Sequence, residues 1–173
     1  MATALERLQS LVPPPAVEAR QWQWDWAGTE RRLGYPLPQD YKDLVDVYGR
    51  GEFDGYLSLL VGLPNETDSG ITLFNRGHMD DLRHFWSGLV ERPDGLAEDD
   101  VLVVWADTID ADTISWLVRP GKPPEQWPVA VLHSDLEDCE IYPMTCTELL
   151  AGLFAGDVVS ETLTQQLAFG AVV

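Results

Sequence analysis

Basic residues are what this 173-residue chain most lacks: 11 Lys and Arg stand against 29 Asp and Glu, a net charge of −18. The deficit is uneven. Residues 1–50 hold seven acids and six bases, residues 51–173 hold 22 acids and five bases, and no Lys or Arg follows Lys122. Such a surface repels phosphate backbones and anionic bilayers, so neither nucleic acid nor membrane is an expected partner. It attracts a cationic protein, or it serves only solubility.

Other scarcities narrow the function further. The two cysteines, Cys139 and Cys146, lie either side of Pro143. They match no zinc spacing and build no disulfide framework. No apolar run approaches the length of a membrane span. The opening MATALERLQSLV lacks the basic start and apolar centre of a secretion signal, and the cytoplasm is the expected location. Gly49-Arg50-Gly51 is neither a phosphate loop nor a dinucleotide fingerprint, and no G-x-S-x-G elbow occurs. His78, His84 and His133 show no paired metal-type spacing. No enzyme activity, no cofactor and no metal is therefore expected.

What the chain does have is a core. Seven tryptophans and 45% hydrophobic residues point to a folded protein. A chain of this length buries roughly 70% of its unfolded surface in one domain. Residues 3–12 form an amphipathic helix with Leu5, Leu8, Leu11 and Val12 on one face, stopped by Pro13, Pro14 and Pro15. Trp22, Trp24 and Trp26 alternate as in an extended entry, and Asp25 can cap a following helical turn with Trp26, Glu30 and Leu33. Gly34 is placed to end that turn, and Pro38 to start the next helix. Tyr41, Leu44, Val45 and Tyr48 fall at i, i+3, i+4 and i+7, one helical stripe that Gly49 closes.

Strands are expected over residues 56–60 and, after the NETDSG turn, over Ile71–Phe74. Asp80 is the expected cap of a helix carrying Leu82, Phe85, Trp86 and Leu89, ended by Pro93 and Gly95. VLVVWA from Val101 reads as a buried strand, Ile114, Trp116 and Val118 alternate on the next, and Val129 and Val131 mark a third. Cys139, Ile141 and Tyr142 mark a short last strand. Thr145 and Glu148 make a capping box before Leu149, Leu150, Leu153 and Phe154, with Gly156 as the stop. Residues 160–167 are a further helix candidate. Clustered strands without regular helical alternation mean α+β, with a single mixed, mostly antiparallel sheet and helices packed around it.

Three blocks in this order resemble the SUKH superfamily, which contains bacterial immunity proteins and fungal cell-wall assembly regulators. They are LP-x-DYK-x-L-x-x-x-YG-x-G-x-F from Leu37, the strand pair WADTIDADTISWLVRPGKPPEQWPVAVL, and the closing helix TCTELLAGLFAGDV. The likeness runs over roughly residues 22–157. It divides the chain into an N-terminal helix with a Pro-rich spacer (1–21) and a SUKH-like domain (22–173). It implies a non-enzymatic immunity protein that binds and neutralises a bacterial polymorphic toxin of nuclease or deaminase type. A regulatory scaffold akin to the fungal relatives is the alternative. The expected partner is a basic protein, and the expected state a monomer or weak dimer.

Candidate contacts follow from charge placement. Glu98, Asp99 and Asp100 precede a strand, either as a solvated guard against edge pairing or as a contact patch. Asp107, Asp110 and Asp112 lie between two strands, as turn formers or as partners for basic side chains, and they lack the calcium-loop pattern. Glu137, Asp138 and Glu140 carry the same two readings. Trp105 and Trp116 are either core rings or anchors of a hot spot for an arginine-rich partner.

Overall fold

The computed structural model describes residues 1–20, 23–63 and 69–163. Trp22, most of the NETDSG turn and the end of the 160–167 helix candidate lie outside them. Six strands, β1 (Glu52–Phe53), β2 (Leu57–Leu59), β3 (Leu102–Thr108), β4 (Thr113–Leu117), β5 (Val129–Leu132) and β6 (Cys139–Tyr142), pair in chain order as one open antiparallel sheet. With its helices this is an α+β fold.

The middle strands are buried on both faces, which explains why they read as near-continuous apolar runs. One face carries Trp105, Ile114, Trp116, Val129 and Val131 into the main core. There it meets α1 (Ala4–Leu11), α3 (Gln39–Tyr48) and α6 (Cys146–Ala155) through Leu8, Tyr41, Leu44, Leu149 and Leu153. The other face turns Leu102, Leu117, Ala130 and Leu132 toward Leu82 of α5 (His78–Trp86) and Leu96. Thr113 and Ser115 are buried on this second face, so β4 does not alternate between core and solvent.

Local signals fix most of the helices. Thr3 and Glu6 form a reciprocal capping box on α1. Leu8 is fully buried, α1 packs on α6, and the Tyr48 hydroxyl donates to the Val12 carbonyl at 2.7 Å. The N-terminal helix therefore shares the core of the rest of the chain. Asp25 caps α2 (Trp26–Leu33) by accepting from Gly28 N–H at 2.9 Å, and Gly34 ends it at φ 83°. Tyr41, Leu44, Val45 and Tyr48 are all buried, as their spacing predicts. Thr145 caps α6, and Gly156 closes it at φ 77°. The Asp40 carboxylate accepts from the Thr147 N–H and hydroxyl, tying α3 to the start of α6.

Two elements depart from the expectation. Ile71–Phe74 is helical, inside α4 (Gly70–Asn75). Four residues are too few to separate a period of 2 from a helical turn. Local bonds decide: Ser69 N–H donates to Thr72 Oγ1 at 3.3 Å, and Thr72 Oγ1 donates back to the Ser69 carbonyl at 2.9 Å. In α5 the cap position is Gly77, at φ 73°, and Asp80 lies in the first turn, where its charge favours the helix dipole. That helix stops at Trp86, ahead of Pro93, which leaves Leu89 beyond it; Phe85 lies within it, and both are exposed and do not complete an apolar stripe.

Candidate functional site

Antiparallel pairing in chain order gathers three hairpin turns at one end of the sheet. The β1–β2 turn supplies Asp54, the β3–β4 turn Ile109, Asp110 and Ala111, and the β5–β6 turn residues 133–138. Each turn places one non-glycine residue in left-handed backbone: Asp54 at φ 57°, Ala111 at φ 67° and Leu136 at φ 67°. This conformation costs an L-residue about 1–2 kcal/mol. The surrounding bonds over-determine it.

Asp112 is the group that joins the turns. It is 2% exposed. Its Oδ2 accepts from the Thr108 hydroxyl at 3.1 Å and the Tyr56 hydroxyl at 3.3 Å, and its Oδ1 accepts from Ser134 N–H at 3.0 Å. Ile109 N–H donates to the Tyr56 carbonyl at 3.0 Å, a second tie between the first two turns. Burial, together with the Asp112 and Asp110 carboxylates, pushes the Tyr56 phenol up to about 12, so it stays a donor.

The exposed carboxylates of the three hairpin turns have no Lys or Arg ion pair among the described residues. Asp54, Asp110, Glu137 and Asp138 are exposed, and these turns contain no Lys or Arg. Asp107 is half-buried across from Ser58 and Thr113, and desolvation raises its carboxyl. A cation brought against Asp107 would recover part of that lost solvation. The Asp135 carboxyl is lowered, first by the Glu137 N–H, then by the Asp138 N–H and the nearby His133 ring. Ile109, 73% exposed, stands among these acids. The turn after α5 reaches the same end: Glu91 N–H donates to Glu137 Oε1 at 3.3 Å, the Trp86 indole N–H donates to the Leu136 carbonyl at 2.9 Å, and Leu89 is 65% exposed. The same turn brings one cation, Arg92, whose guanidinium lies 5.9 Å from the centroid of the Trp86 ring.

The eight residues singled out from the sequence are not brought together. Asp107 and Asp110 belong to the turn end. Asp112 organises it from inside and has no surface to offer. Glu98 and Asp99 are exposed but lie before β3, whereas Asp107 is near its far end; such a strand spans ~20 Å, well beyond the ~8 Å Debye length. Asp100 is occupied, pairing with Arg119 at 3.0 Å and accepting from Ala97 N–H at 2.8 Å. Trp105 and Trp116 are corrected outright as anchors. They are 0% and 1% exposed, their rings stack with centroids 6.0 Å apart, and Trp116 meets Tyr41 edge-on at 5.1 Å. They are core.

Sequence reasoning missed Asp54 and Ile109 as members of the site and left Glu137 and Asp138 undecided. Asp54-Gly55 was a readable turn signal; its neighbourhood was not. Among the described residues, no cluster of His, Cys, Asp and Glu is arranged to hold a metal ion, and no helix is long and apolar enough to cross a membrane. Comparison with protein-family models, curated proteins and solved structures gives no match.

Proposed function

We propose that this protein acts by binding, and that its acidic turn end docks on a basic surface of a toxin protein. The observation that carries the reading is the buried Asp112 carboxylate, which holds three acidic turns in one fixed arrangement around the exposed Ile109. Fixed carboxylates lose little freedom on binding, and their field speeds encounter with a cationic partner. Close charge pairs at such contacts couple by about 1.5–7 kcal/mol.

With the SUKH resemblance, the reading becomes an immunity protein of the cytoplasm. It occludes the basic cleft of a nuclease or deaminase toxin and runs no chemistry of its own. The test is co-expression with the toxin encoded beside its gene. Rescue of growth is expected, and it is lost when Asp54, Asp110 and Asp138 are together changed to Lys. Reversal of Glu98 and Asp99, which precede β3 at the opposite end of the sheet, leaves rescue intact. Full rescue by the triple reversal removes the turn end from the interface, and no rescue by the unaltered protein sinks the immunity reading.

A further inference from the structure

The sheet closes one of its open edges and leaves another without a backbone partner among the described residues. Beyond the end of β2, the edge of β3 is taken up by Asn75, whose side chain bonds both backbone groups of Val104. β6 is the outermost strand on the opposite side. Its register tells which groups it presents. His133 N–H donates to the Asp138 carbonyl at 2.9 Å, so 133 and 138 are a hydrogen-bonded pair, and 131–140 and 129–142 follow in alternation. The next ladder agrees: Leu117 N–H donates to the Pro128 carbonyl, which turns Ala130 and Leu132 toward β4 and Val129 and Val131 toward β6. Cys139 and Ile141 therefore point their N–H and C=O away from the sheet. Among the described residues no backbone hydrogen bond reaches these groups.

Edges of this kind are ordinarily guarded by a lysine, a proline or a bulge. The strand Cys139-Glu140-Ile141-Tyr142 has none of these, and Ile141 is 37% exposed. Its one charge, Glu140, pairs in register with the core residue Val131 and is occupied by the Ser160 hydroxyl and the Glu161 and Thr162 N–H groups. Charge selects the occupant. Glu137 and Asp138 stand at the start of the strand, and the whole chain carries −18, so a second copy would bring acids against acids. A cationic strand meets the opposite field.

We propose that the β6 edge accepts an extended segment of a partner protein, bearing Lys or Arg at alternate positions, as a seventh strand. Backbone bonds to Cys139 and Ile141 supply the pairing, and the flanking acids select the sequence. The proposal rests on the proposed function only for the positive sign of the partner.

The test is amide hydrogen exchange on the full chain with a short synthetic peptide of alternating lysine and valine. The same peptide with glutamate for lysine is the comparison. The lysine peptide is expected to slow exchange at Cys139 and Ile141 by about tenfold or more, and the glutamate peptide to leave it unchanged. Ile141→Pro removes an outward donor without breaking a β5–β6 bond and abolishes the effect; Ile141→Lys, which keeps the donor, weakens it by like charge. Equal protection by the two peptides, or none from either, overturns the proposal. So does slow exchange at both amides in the free protein, which would mean an edge already covered by its own last residues or, if sedimentation shows a dimer, by a second copy. Peptide capture without toxin rescue sinks the immunity reading alone, and rescue without capture sinks the edge alone.

Discussion

The carboxamide of Asn75 takes both backbone groups of Val104: Val104 N–H donates to Oδ1 at 2.8 Å, and Nδ2 donates to the Val104 carbonyl at 2.8 Å. β2 accompanies β3 only as far as Ala106, with Leu60 N–H reaching the Trp105 carbonyl at 2.9 Å. The side chain continues the ladder where the strand leaves it. Nδ2 also donates to the Ile71 carbonyl at 2.8 Å, which fixes the amide from its own helix.

Removing this clasp strands two backbone groups in a mostly buried place. Asn75→Ala is expected to lower stability by about 2–3 kcal/mol, given about 1–3 kcal/mol for each unsatisfied group. Asn75→Asp keeps the acceptor but sets an oxygen against two carbonyls, and costs at least as much. Urea unfolding of the two variants measures both. A loss below about 0.5 kcal/mol in each would mean that water replaces the amide.

Gly70 and Gly34 separate backbone strain from steric contact. Both have positive φ, +52° and +83°. A Cβ at Gly70 would lie 2.1 Å from the Val61 carbonyl oxygen, whereas at Gly34 it meets nothing within 4 Å. Gly34→Ala is expected to cost about 1 kcal/mol from conformation alone. Gly70→Ala adds a clash with backbone that cannot swing aside, for a total above about 2 kcal/mol. Denaturant midpoints of the pair give the contact contribution by difference.

Legibility followed the distance over which each feature is decided. The stripe Tyr41, Leu44, Val45 and Tyr48, the Thr145–Glu148 cap and the strands around Trp105 and Trp116 are set within a few residues, and the sequence displays them. Helix α4 is not legible, because Ile71–Phe74 offers one turn of either period and the deciding bonds run between Ser69 and Thr72. The site was half visible. Asp107 and Asp110 are carboxylates in a turn by inspection, but the burial of Asp112 depends on Tyr56, 56 positions back, and Ser134, 22 positions ahead. Which acids share a surface depends on which hairpins end together. That is a property of the sheet, and local composition does not contain it.

His78 makes stability depend on pH in a stated direction. Its Nε2 is buried with no hydrogen-bond partner among the described residues, and its ring lies 5.3 Å from Phe74. Burial holds the imidazole below its ordinary range, with Asp81 opposing in part. The unfolded chain binds a proton near pH 6.5, while the folded chain does so only at lower pH. Stability from this group is therefore full above about pH 6.5 and is lost as pH falls toward the folded value, with a limiting slope of about 1.4 kcal/mol per pH unit. His84 and His133 remain in His78→Asn, so the difference between variant and parent isolates this one group. Urea midpoints between about pH 7 and 5.5 should fall less steeply in the variant. The raised Asp107 carboxyl works in the opposite sense, but only at lower pH, where carboxylates titrate. Parallel slopes in the two proteins would assign the pH dependence elsewhere.

Asp112 carries the last expectation, because it separates holding a site from touching a partner. The side chain is enclosed, yet it receives donors from Tyr56, Thr108 and Ser134 in all three turns. Asp112→Asn keeps an acceptor for Ser134 N–H, and the two hydroxyls can rotate to accept from the new amide, so a loss of about 1–2 kcal/mol is expected. Asp112→Ala leaves three donors unmatched, one of them a backbone N–H, and should cost about 3–4 kcal/mol. Tyr56→Phe removes one bond, about 1 kcal/mol, and should couple to Asp112→Asn in a double-mutant cycle. At temperatures where the Asp112→Ala protein is still folded, amide resonances of Asp54, Ala111 and Leu136 should shift together, and affinity for a cationic partner should fall. Asp110→Asn should reduce that affinity with no change in stability. If instead those three amides stay in place when Asp112 is truncated, their positive-φ turns are held by the strands alone, and the carboxylate is a local cap for Thr108.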